Sequence, residues 1–146
     1  MICVDANLAA KWFLVEEFSD AAQDLAAQCR AERQTIAAPF LIEFEIANII
    51  RQHMVRHGAT LGEALEMLDI FSSYPIALMA PPDLHESALR IADEFELPAS
   101  DDANYIALAR GLGCSLWTDD REMLHTLRGR LPFVRWIGDY NPGDPL

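Results

Sequence analysis

The sequence predicts an α/β fold, a parallel sheet of roughly four to five short strands covered by helices on both faces in a three-layer α/β/α domain. Three observations carry that prediction. Short apolar runs such as residues 2–4 and 114–118 alternate along the chain with longer amphipathic stretches. These runs lack the polar alternation of a half-exposed strand, as buried parallel strands do. With 146 residues, 51% of them hydrophobic, the chain can bury a core without disulfides or a structural metal.

The elements follow in order. Residues 2–4 form a buried strand that ends on Asp5. A short helix starts near Leu8, with Asn7 as its N-cap. Residues 19–33 form a second helix, with Ala22, Leu25, Ala26 and Cys29 on one face. Residues 35–38 are a second strand, and Pro39 fits the first turn of a helix that reaches about Arg56 and stops before Gly58. Over residues 60–73, Thr60 caps a helix and Glu63 completes a capping box. Residues 75–79 are a strand. Pro81 and Pro82 lead into a helix through Phe95, which Leu97, Pro98 and Ala99 break before a helix from about Asp102 to Leu112, closed by Gly113. A strand at 114–118, a helix at 120–130 and a strand at 133–136 complete the domain, expected over residues 1–138. The segment 139–146, rich in Gly, Pro and Asp, is expected to be an irregular tail.

Charge and composition narrow the function. Lys plus Arg is 11 against 23 Asp plus Glu, a formal net charge of −12, which argues against broad electrostatic capture of nucleic acid. A nuclease with this balance needs positive charge from bound metal ions or from a basic protein partner. No apolar run approaches the roughly 20 residues that span a bilayer, and Asp5 interrupts the stretch a signal peptide would use. A cytoplasmic protein without a membrane segment is expected. Cys3, Cys29 and Cys114 show no zinc or redox spacing and read as small buried hydrophobes.

The chemistry gathers on acids. Asp5 ends the first strand and Asp120 follows the strand at 114–118, so both point to the same sheet edge, where open α/β sheets bind ligands. Asp102 opens a helix, where the dipole favours an anion and an N-cap role competes with a functional one. Glu45 lies in FLIEFEIANIIRQHM, a helix apolar nearly all round and therefore expected to be buried. There it shares a stripe with Leu41, Asn48 and Gln52, and no arginine or lysine lies on that stripe. Glu43 is on another face. Gathered carboxylates without a counter-charge are driven to protonate, and a hard divalent cation removes that conflict. Oxygen-only donors suit Mg2+ or Mn2+ rather than zinc, and metal-assisted phosphodiester hydrolysis follows as the reaction class. A phosphatase with Asp5 as nucleophile is disfavoured, since no acid stands two residues on.

Four segments, VDANLAAKWFLVEE, APFLIEFEIAN, DDANYIALARGLGC and LWTDDREM, occur in an order and at separations that resemble the PIN-domain ribonucleases, in particular the VapC-type toxins of toxin–antitoxin pairs. The resemblance spans nearly the whole chain. It implies that the four acids are Asp5, the Glu45 of an E-x-x-N pattern with Asn48, the Asp102 that precedes Ala103 and Tyr105, and the Asp120 of a T-x-D pattern with Thr118. It thereby chooses Glu45 over Glu43, Asp102 over Asp101 and Asp120 over Asp119. Asn7, Asn48 and Thr118 are the supporting residues. It further implies a Mg2+- or Mn2+-dependent endoribonuclease, a homodimer, an RNA substrate and a small antitoxin with a basic tail. Rival readings are an inactive PIN module acting by protein binding and a PIN nuclease outside any toxin pair. His53 and His57 lack the Glu of a metalloprotease motif, and with Arg51 and Arg56 they read as a solvated helix end. Trp12 and Phe13 read as core.

Overall fold

In the computed structural model, which describes residues 1–146, strands and helices alternate from end to end. β1 (Ile2–Val4) leads to α1 (Ala6–Ala10) and α2 (Ser19–Ala31), and β2 (Ile36–Pro39) to α3 (Leu41–His57) and α4 (Leu61–Ser72). β3 (Ile76–Met79) leads to α5 (Leu84–Glu94) and α6 (Asp101–Leu112), β4 (Ser115–Thr118) to α7 (Arg121–Leu127), and β5 (Val134–Trp136) to a single 3-10 turn, Ile137–Asp139. All pairings are parallel, in the order β3-β2-β1-β4-β5. The three-layer fold expected from the sequence is present, with five strands.

That order places the site. The chain builds outward from β1 through β2 to β3, then returns to the other side of β1 for β4 and β5. The switch point therefore lies between the carboxyl ends of β1 and β4, where ligands bind in open sheets of this kind. Cys3 pairs with both Ala37 and Leu116, and Val4 with Trp117. β1 is buried throughout. α6 packs against β1, β2 and β4, and its residues from Ala103 to Ala109 are all buried, so it is pinned across the centre of the sheet. Cys3 and Cys29 are buried and Cys114 is half-buried; all three are free thiols, and the Cys3 and Cys114 sulfurs lie 3.7 Å apart.

Several local expectations are corrected. Asn7 caps nothing: Asp5 is the N-cap of α1, its carboxylate accepting from the Leu8 N–H, so the helix starts at Ala6. Pro39 closes β2 instead of opening α3. Asp102 is not an N-cap, because Ser100 precedes a first turn that holds both Asp101 and Asp102, where the helix dipole favours acids. α3 is not enclosed: Ile42, Ile46 and Ile50 face the core, while Phe44 is 74% exposed. α7 ends at Leu127 because Arg128 and Gly129 turn left-handed, at φ +49° and +69°. The Thr60–Glu63 capping box forms as expected. Trp12 is core, stacked on Tyr74 with ring centres 4.2 Å apart. The tail is irregular yet docked: the Tyr140 hydroxyl donates to Gln28 Oε1 at 2.7 Å and its ring meets Trp117 edge-on.

Candidate metal centre

Asp5 emerges from the end of β1 at the switch point and is only 4% exposed. Its Oδ1 accepts the Leu8 N–H at 2.8 Å, and its Oδ2 accepts the Thr118 hydroxyl. Thr118 ends β4 and is itself buried. Its Oγ1 accepts the backbone N–H of Asp120 at 2.8 Å. One hydroxyl thus ties the ends of two neighbouring strands and fixes the turn into α7. Asp120 caps that helix, its Oδ1 accepting the Met123 N–H at 2.8 Å.

Asp102 and Asp120 line one groove of about 400 Å³, together with Leu97, Arg121 and His125. Glu45 is half-buried on α3, and its carboxylate accepts the hydroxyl of Tyr105, which stands three residues after Asp102 and so on the same side of α6. The fields of these groups overlap. Burial pushes the Asp5 carboxyl up to about 7, against the lowering effect of Thr118 and Leu8, and the charges of Asp102 and Asp120 add to the rise. Burial, then Asp120 and Asp101, push Asp102 up to about 6. Glu45 is raised by burial, held back by Tyr105, and raised again by Asp101 and Asp102. The Tyr105 hydroxyl is raised by burial and by the charges of Glu45, Asp5 and Asp102, of which Glu45 alone touches it.

No ion pair of the molecule reaches Asp5, Glu45, Asp102 or Asp120. The carboxylates do not close on a common point at ligating distance. What they share is an uncompensated negative field supplied by oxygen donors alone, and that donor set fits a hard divalent cation. Asn7 and Asn48 are exposed, and Asn7 lines a separate groove with Gln52, His53 and His57.

The first member of each doublet, Asp101 and Asp119, is engaged differently. Asp119 Oδ2 pairs with Lys11 Nζ at 2.8 Å, and its Oδ1 accepts the indole N–H of Trp136 at 3.1 Å. Asp101 is exposed. Lys11 and Tyr105 were missed as site residues from the sequence. Lys11 had a signal: the chain's single lysine, set in the apolar run LAAKWF, must find a counter-charge if buried. Tyr105 had a weaker one, a buried phenol needing an acceptor.

Residues 3–129 match the PIN domain family. None of the curated proteins matches the chain. Among solved structures it is similar to the crystal structure of PAE2754 from Pyrobaculum aerophilum, with 25% identity, coverage of 94% of this chain and 90% of that chain, and a TM-score of 0.64. The PIN fold is that of metal-dependent nucleases, which typically bind divalent metals such as Mg2+. The matched span runs from β1 past α7 and takes in every acid at the switch point, and on that match the chain belongs to the PIN domain family.

Proposed function

We propose that this chain is a Mg2+- or Mn2+-dependent endoribonuclease and the toxin of a toxin–antitoxin pair, with Asp5, Glu45, Asp102 and Asp120 as its metal-holding acids. The observation that carries the metal site is the uncompensated charge at the switch point, where Asp5 and Asp102 are pushed up to about 7 and about 6 with no cation paired to them; RNA as the substrate and the toxin role rest on the resemblance to the PIN-domain toxins. Asp5 and Asp102 are the direct ligands; Glu45 and Asp120 act through water or at a second ion. A bound ion would polarise an attacking water and set positive charge against the phosphate. Thr118 orients Asp5 and the Asp120 turn at once, Tyr105 fixes Glu45, and Asn7 and Asn48 are the supporting polar groups.

The test is cleavage of structured RNAs by the wild type and by Asp102→Asn, with Mg2+, with Mn2+ and in chelator. Cleavage by the wild type in either metal and loss in Asp102→Asn are expected. Equal cleavage by both proteins, or full activity in chelator, sinks the mechanism. A finer prediction concerns Tyr105→Phe. Without its hydroxyl the Glu45 carboxyl rises further, so the acid limb of the metal-dependent pH–rate profile moves to higher pH; an unmoved limb shows that Glu45 takes no part.

We assign the exposed Phe44, Leu61 and Leu65 of α3 and α4 to contact with a second copy, and light scattering should return twice the chain mass. The acid groove suits the basic tail of a small antitoxin. A short reading frame directly upstream, whose product silences the nuclease on co-expression, is the expected signature; a nuclease outside a toxin pair has none.

A further inference from the structure

A second, larger groove of about 590 Å³ lies between α7 and β5, an outer strand of the sheet. Arg121, Leu124, Pro132, Arg135 and Trp136 line it, and Asp139 is its one acid. Arg121 lines the acid groove as well, so the two grooves meet at the first turn of α7, beside Asp120.

The Trp136 ring is held rigidly. A Cβ at position 138 would stand 2.5 Å from ring carbons, so Gly138 lets one face of the indole lie flat on the chain. The indole N–H donates to Asp119, and Phe18 meets the ring edge-on with centres 5.2 Å apart. Near the same ring, the Arg121 guanidinium lies 5.0 Å from the centre. Arg121 is exposed, and its ion pair with exposed Glu17 at 3.1 Å is of the kind that contributes little in water. A half-buried indole held by these contacts, beside an exposed guanidinium that also lies 5.6 Å over the Phe18 ring, forms a stacking site for a flat π-system. Two arginines against one acid, in a chain of net charge −12, fit an anionic strand passing over it.

We propose that this groove is a base-binding subsite that takes an unpaired nucleobase of single-stranded RNA between Trp136 and Arg121, with Arg121 available to a flanking phosphate and Arg135, whose guanidinium lies 4.1 Å over the Trp117 ring and donates to the Pro145 carbonyl at 3.0 Å, adding positive charge to the groove wall. It rests on the nuclease reading for the identity of the strand. Stacking reads a π-face and not a hydrogen-bond pattern, so the subsite selects unpaired over paired nucleotides without choosing one base.

The experiment titrates the Asp102→Asn protein, in Mg2+, with a short single-stranded oligoribonucleotide while tryptophan fluorescence is followed. Trp12 and Trp117 are buried, so quenching by a base reports on Trp136. Saturable quenching is expected, and it should vanish in Trp136→Ala. Because that variant lacks the reporter, the affinity of every variant is read from the anisotropy of a dye-labelled strand. The dissociation constant should rise about tenfold in Trp136→Ala, be partly restored in Trp136→Phe, and rise several-fold in Arg121→Ala, whose side chain is exposed. An abasic strand should bind weakly and quench little. The subsite is overturned if no saturable binding occurs, if Trp136→Ala and Arg121→Ala bind as tightly as their parent, or if the abasic strand quenches equally. Cleavage assays keep the two readings apart. RNA cut by the wild type and by Trp136→Ala with the same KM removes the subsite and leaves the nuclease; base-dependent quenching in a protein that cuts no RNA does the reverse.

Discussion

Asp5→Asn should abolish metal-dependent cleavage and, in chelator at pH 8, make the protein more stable. The activity loss, on the order of 10²–10³-fold or more, follows from removing a ligand charge. The stability gain follows from burial. In the folded chain the Asp5 carboxyl is pushed up to about 7 from 3.8, so between those values the folded state binds more protons than the unfolded one. Stability therefore falls as pH rises through that window, and the loss is complete above about 7. Three units correspond to roughly 4 kcal/mol; relaxation around an ionised Asp5 would leave about half of that, or a shift near 5 °C in Tm for a chain of this size. Asn is isosteric: its Oδ1 takes the Leu8 N–H and its Nδ2 donates to Thr118 Oγ1, which also accepts the Asp120 N–H, and the Thr118 proton, turned away from position 5, gives back part of the gain. Thermal unfolding of both proteins in chelator should give curves that separate at pH 8 and converge near pH 4. A gap of constant size across that range, or a less stable Asn variant at pH 8, counts against an ionised, buried Asp5. Added Mg2+ should raise Tm in the wild type far more than in Asp5→Asn, since ligand binding to the folded state stabilises it by mass action.

The same carboxylate shows how far sequence reasoning reached. Strand β1, its acid and the strand before Thr118 could be read directly, because buried parallel strands leave short apolar runs and a polar residue at their ends is conspicuous. An Asn just before an apolar run is a good N-cap by residue type, but the strand end brings Asp5 to that position first, where its Oδ1 does the capping while Oδ2 faces Thr118. The order β3-β2-β1-β4-β5 was out of reach, since crossover connections do not disclose on which side of β1 the fourth strand lies. For α3, apolar composition suggested full burial; the exposure of Phe44 depends on how much of the helix α4 covers, and that is a property of packing. Tyr105 and Lys11 find Glu45 and Asp119 across large sequence separations, and only the folded chain pairs them.

Lys11→Met should destabilise the fold while testing which acid of the Asp119–Asp120 doublet belongs to the site. Lys11 is buried, pairs with Asp119 at 2.8 Å and Glu16 at 3.5 Å, and donates to the Glu17 carbonyl at 2.8 Å. Methionine keeps much of the stem and removes the charge, leaving Asp119 with the Trp136 indole as its one side-chain donor. Breaking a buried pair from one side costs about 3–5 kcal/mol; the Asp119 side chain is 20% exposed, which lowers the expectation to about 2 kcal/mol. Adding Asp119→Asn to Lys11→Met should restore part of that loss, because the second change removes the stranded charge, and a urea-unfolding double-mutant cycle measures the coupling. Additive losses would mean that the pair contributes nothing beyond its separate packing. Asp119→Asn alone should keep RNA cleavage within about tenfold, since its carboxylate is occupied by Lys11 and Trp136, while Asp120→Asn, which alters the charge felt by both Asp5 and Asp102, should lose on the order of a hundredfold. The opposite ranking would transfer the metal role to Asp119 and require the Lys11 bridge to open when metal binds.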